Sequence, residues 1–135
     1  MGIAALITWL STAGGGLYLL AVWLIEYDRE FQAAAPTRLP IPVLSGHVLL
    51  AVTGLVLWMA YLFTDSAMLA WAALAVLGGV VGLGLTMAWR WLSVYRAPGT
   101  PATPPERNFP VPVVIGHGLL ALVTIVLVVL TTLKS

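Results

Sequence analysis

The stretch LPIPVLSGHVLLAVTGLVLWMAYLF, Leu39–Phe63, carries a single histidine and no Asp, Glu, Lys or Arg. From Ile41 onward it is an unbroken apolar run of the ~20-residue length that spans a hydrocarbon layer of about 30 Å. In such a layer water satisfies no backbone N–H or C=O, so a spanning segment of this kind has to be a helix. Three more runs of the same character follow from the rest of the chain. The helices expected are Ile3–Ile25, Ile41–Phe63, Met68–Trp91 and Val111–Thr132.

Composition agrees. The chain is 61% hydrophobic and 8% charged, too little charge to clothe a water-soluble domain. The fold class expected is an all-α integral membrane protein with four transmembrane helices in a single domain, residues 1–135. A formal net charge of +1 with no polybasic run excludes a nucleic-acid partner. The absence of cysteine removes disulfides, thiolate metal sites and iron–sulfur clusters. No basic residue precedes Ile3, so the first run reads as a retained helix and not as a secretory leader.

Arg29, Arg38, Arg90, Arg96 and Arg107 fall on one side of the four spans, and Lys134 on the other. The positive-inside rule then places the first and third loops in the cytoplasm and both termini outside, in the inner (plasma) membrane. Trp23, Tyr27, Trp89, Trp91 and Tyr95 are expected at the inner interface, and Trp9, Trp58, Tyr61 and Trp71 at the outer one. The third loop, Arg96 to Asn108, holds Pro98, Pro101, Pro104 and Pro105 and reads as an extended linker.

The opening stretch recurs. Leu39-Pro40-Ile41-Pro42-Val43-Leu44-Ser45-Gly46-His47-Val48-Leu49-Leu50-Ala51 aligns with Phe109-Pro110-Val111-Pro112-Val113-Val114-Ile115-Gly116-His117-Gly118-Leu119-Leu120-Ala121 at one constant offset. The preceding helices correspond more weakly: Gly14, Gly16, Leu17, Trp23, Leu24 and Tyr27 fall against Gly82, Gly84, Leu85, Trp91, Leu92 and Tyr95. Two helical hairpins in tandem are expected, about residues 1–66 and 67–135. Each unit has two spans, so both copies share one orientation and a pseudo-twofold axis runs along the membrane normal. The prolines need no functional account, because a first-turn N–H has no helical partner to lose.

His47 and His117 are the only histidines. Each lies six residues inside its helix, roughly 9 Å from the end. Ionisable groups at membrane depth mark functional sites by default. Two imidazoles at equal depth on parallel helices form a ligand pair. Ala51 and Gly54 share the face of His47, and Ala121 and Thr124 that of His117, leaving room for a flat molecule. Arg38, Arg90 and Arg107 lie near the mouth, where the propionates of a haem would emerge. One bis-histidine haem b is expected, with His47 and His117 as metal ligands. Gly46 and Gly116, each preceding a ligand, join the cofactor-binding set. A bare zinc or copper ion would need more than two nitrogen ligands. The alternative is that the histidines only hydrogen-bond neighbouring helices and the glycines only serve packing.

With His47, His117, their Gly46 and Gly116 neighbours and four spans, the sequence resembles the small membrane-bound b-type cytochromes that serve as haem-bearing anchors of respiratory dehydrogenases. It departs from two-haem relatives, which carry two histidine pairs. The resemblance implies one-electron transfer and not side-chain catalysis, with a quinone or a redox partner subunit at the other end. It leaves homo- or hetero-oligomers open. The rival expectation is a non-redox structural or assembly subunit of a membrane complex.

Overall fold

The computed structural model describes residues 1–32, 37–98 and 104–135, without the side chains of 29–32. Among these residues the chain is all-helical: α1 Gly2–Gln32, α2 Ile41–Thr64, α3 Ala67–Arg96 and α4 Val111–Thr132, with a 3-10 turn at Pro105–Asn108. All four α-helices are long and apolar enough to cross a membrane. The shortest, α4 with 22 residues, extends about 33 Å at 1.5 Å per residue.

The helix starts and stops follow from local chemistry. Pro40 and Pro110 are the N-caps of α2 and α4, and Pro42 and Pro112 stand in the first turns. The Pro40 carbonyl accepts from Val43 and Leu44, and the Pro110 carbonyl from Val113 and Val114. At the far end of α2, Asp65 takes a left-handed conformation (φ 55°) and donates its N–H to the Tyr61 carbonyl. Asp tolerates that region better than most residues, and the chain reverses into α3 within two residues. α1 runs past the expected Ile25, and α3 past Trp91. Glu26, Arg29, Glu30 and Gln32 are good helix formers, so hydropathy marks where the apolar stretch ends and not where the helix does.

α2 packs most extensively on α3, and α1 on α4. Smaller contacts join α3 to α4 and α1 to α2, and α1/α3 and α2/α4 stand diagonally. The closest pairings therefore cross between the two sequence units, and the helices of each unit also touch one another. The two-residue turn after α2 draws α3 alongside it, while α1 and α2 are joined by a longer connection.

One end of the bundle is filled with aromatic side chains. Trp9, Trp58 and Tyr61 are buried with Ala5, Ala70, Ala73, Leu77, Val80 and Val128. The Trp58 and Tyr61 rings lie 4.9 Å apart, and Trp58 Nε1 donates to the Gly2 carbonyl at 3.2 Å. Trp9, Trp58, Tyr61 and Trp23 were expected at membrane interfaces, yet all four are buried. An indole or phenol can go inside where its polar atom finds an acceptor or its body a small neighbour, and the alanines supply that room. Trp71, Trp89 and Tyr95 do stand exposed. So does an apolar coat that includes Leu49, Phe63, Met68, Leu85 and Leu119.

Candidate functional site

His47 and His117 meet across the diagonal between α2 and α4. Their ring centroids lie 6.3 Å apart and the planes are inclined at 58°. Both rings are half-buried. Each is held from behind by a helix of the other sequence unit. His47 Nδ1 lies 2.9 Å from the Val80 carbonyl of α3, and His117 Nδ1 lies 2.9 Å from the Thr12 carbonyl of α1. A carbonyl oxygen only accepts, so each Nδ1 must carry the hydrogen. In the neutral ring that leaves Nε2 with a bare lone pair. Among the described residues neither Nε2 receives a hydrogen bond.

Glycine permits this seating. A Cβ on Gly84 would stand 3.1 Å from His47 Cε1, and one on Gly16 would stand 3.0 Å from His117 Cε1. Gly15 also lies against the Cβ of His117. Each carbonyl acceptor lies one helical turn before its glycine, Val80 before Gly84 and Thr12 before Gly16, so both act on one face of the helix. Gly14 and Gly82 face open space.

The remaining expected site residues are distributed unevenly. Ala51 packs at the margin of the aromatic core, and Ala121 is half-buried. Gly54 is buried beneath Trp9, whose ring a Cβ would approach to 2.9 Å, so Trp9 occupies the clearance that Gly54 was expected to provide. Thr124 is buried. Its Oγ1 donates to the Leu120 carbonyl at 2.8 Å and lies 3.4 Å from Thr12 Oγ1, next to the acceptor of His117. Gly46 packs against Leu83, while a Cβ on Gly116 would meet nothing.

Two of the arginines are engaged by backbone carbonyls. Arg107 Nη1 donates to the Val94 and Ala97 carbonyls, both at 2.9 Å, and closes the end of α3. Arg90 Nη1 donates to the Arg38 carbonyl at 3.2 Å, and the Arg38 side chain is exposed.

A buried carboxylate stands where an extended linker was expected. Glu106, in the 3-10 turn, is fully buried. It accepts from Thr37 Oγ1 at 2.9 Å and from the Arg38 N–H. Thr37 Oγ1 in turn accepts from Trp23 Nε1 and the Leu39 N–H, both at 3.2 Å. Asn108 Nδ2 donates to Glu26 at 3.2 Å. The end of the third connection is thereby tied to α1 and to the start of α2. The Pro101 part of that linker lies outside the described residues. No spacing rule singles out Glu106 in sequence, because its partners are a backbone N–H and a threonine from a distant loop.

Among the described residues no group of three or more His, Asp or Glu side chains could hold a metal ion. His47 and His117 form a pair and not a group of that size. The chain matches no family model, no curated protein and no solved structure.

Proposed function

We propose that this chain is a membrane b-type cytochrome or haem-bearing anchor subunit, with His47 and His117 as the axial ligands of one haem b. The observation that carries the reading is the close approach of the two rings, 6.3 Å between centroids, with each Nδ1 engaged by a carbonyl and each Nε2 left without a hydrogen bond among the described residues. Two acceptors cannot satisfy one another, and an electrophile bound by both would. The 6.3 Å between ring centroids leaves room for a metal–imidazole bond of about 2 Å on each side. The Nδ1–H bonds to carbonyls are the outer-shell contacts that orient metal-binding imidazoles and raise their basicity.

When bound by His47 and His117, such a haem would supply one-electron redox chemistry. The chain's own part is to fix both rings and hold their tautomers through Thr12 and Val80. The aromatic core supports the bundle from the far end. A quinone or a redox partner subunit would exchange the electron.

The apolar coat and four spanning-length helices support insertion in a bilayer. The five arginines at one end support cytoplasmic first and third loops in the inner membrane. Reporter fusions at Ser135 and in the third loop test that orientation, and a cytoplasmic Ser135 reverses it. The matched sets His47–Val80–Gly84 and His117–Thr12–Gly16 support a pseudo-twofold relation between the repeats.

The same Nδ1 bonds favour a second reading, a structural or assembly subunit in which the histidines clamp diagonal helices. That reading predicts no iron in the purified chain. Haem analysis of membrane-extracted protein separates the two: one haem per chain supports the cytochrome, and haem-free protein that cannot be reconstituted supports the subunit.

A further inference from the structure

Trp23 and Trp91 occupy matching places in the two sequence units, and each stacks on a tyrosine one turn later. Trp23 and Tyr27 ring centroids are 4.7 Å apart, and those of Trp91 and Tyr95 are 5.3 Å apart. Their indole nitrogens fare differently. Trp23 Nε1 donates to Thr37 Oγ1, which passes the bond on to the Glu106 carboxylate. Trp91 Nε1 is buried and has no partner. The position in the second unit that matches Thr37 is Arg107, which has no acceptor to offer and is committed to the end of α3. A buried donor left unpaired is costly and calls for an explanation.

The place of Trp91 supplies one. It lies seven residues beyond Gly84, so it shares that glycine's face of α3, about 10 Å nearer the arginine end. Gly84 is the seat of His47. A flat ligand centred between the histidines, with carboxylate arms directed to that end, would reach this level. In the first unit a protein carboxylate, Glu106, already terminates the equivalent indole chain.

Resting on the haem reading above, we propose that the Trp91 indole N–H binds a carboxylate of the ligand held between His47 and His117, a propionate of the haem. Trp91 is thus a further binding residue.

Detergent-solubilised full-length chain, freed of haem, is titrated with haem b and with its dimethyl ester, which lacks the carboxylate charge. The wild type should prefer haem b by about tenfold, the scale of one hydrogen bond to a charged group. Trp91→Phe should reduce the preference to about threefold or less while keeping the six-coordinate low-spin spectrum. Trp23→Phe, whose indole is already partnered, should retain the full preference. An unchanged preference in Trp91→Phe overturns the proposal and leaves the histidine assignment standing. Wild type that binds neither compound overturns both. If Trp91→Phe does not assemble, the wild type decides: the ultraviolet resonance Raman band of indole N–H should show one stronger hydrogen bond with haem b than with the ester. Equal bands overturn the assignment of Trp91.

Discussion

The two ends of the bundle are built on opposite plans. At one end Trp9, Trp58 and Tyr61 interlock over Ala5, Ala70 and Ala73, and Gly54 exists to admit the Trp9 ring. Toward the other, glycines at 16 and 84 admit imidazoles instead, and each imidazole spends one nitrogen on a helix carbonyl and leaves the other without a hydrogen bond among the described residues. Glycine serves both ends by allowing close approach. The difference lies in what approaches: an aromatic ring that completes a core, or a nitrogen that remains available. On the haem reading a filled end gives stability and the histidine pair gives chemistry, and substitutions should separate the two.

The largest effect is expected at the histidines. His47→Ala or His117→Ala should lower haem affinity by more than about 100-fold, since outer-shell changes alone cost ~10–100-fold at metal sites. Folding should hold, with helical circular dichroism close to wild type. Trp58→Ala breaks the other end. It should cost about 3–5 kcal/mol in detergent unfolding, while haem per folded chain stays unchanged. Loss of haem at full stability in that variant would merge the two ends into one unit.

Glu106→Ala leaves the Thr37 hydroxyl and the Arg38 N–H without their buried acceptor. It should cost about 1.5–3 kcal/mol and increase proteolysis in the third connection. Gly16→Ala and Gly84→Ala place a methyl 3.0 and 3.1 Å from a histidine Cε1. Each ring must yield by a few tenths of an ångström, so haem affinity should fall about tenfold with unfolding little changed. Arg38→Ala is the smallest case. Its side chain is exposed, and stability should move within about 0.5 kcal/mol.

Much of the fold was legible because it rests on length and periodicity. α2 and α4 begin at the residues that their Pro-x-Pro starts imply, and α4 ends where its apolar run does. The end of α1 beyond its apolar stretch was not legible, because charged helix formers extend a helix without extending its hydropathy; α3 runs on through the mixed segment Leu92–Arg96. The histidine pair was legible from its repetition. The hydrogen bonds that orient it were not, since Thr12 and Val80 act through backbone carbonyls that every residue possesses. The buried tryptophans misled because indole suits an interface and a core equally, and only the alanines opposite them decide. Glu106 was read as linker because nothing near it in sequence announces Thr37.

The central claim is that His47 and His117 together hold one haem b. The most direct measurement is the reduced-minus-oxidised absorption spectrum of the purified full-length chain, recorded with its haem-to-protein ratio beside the two single alanine variants. The account predicts one haem per chain with the sharp α band of a low-spin b-type centre, lost or converted to a five-coordinate form in each variant. Haem content and a low-spin spectrum unchanged in both His47→Ala and His117→Ala would contradict it.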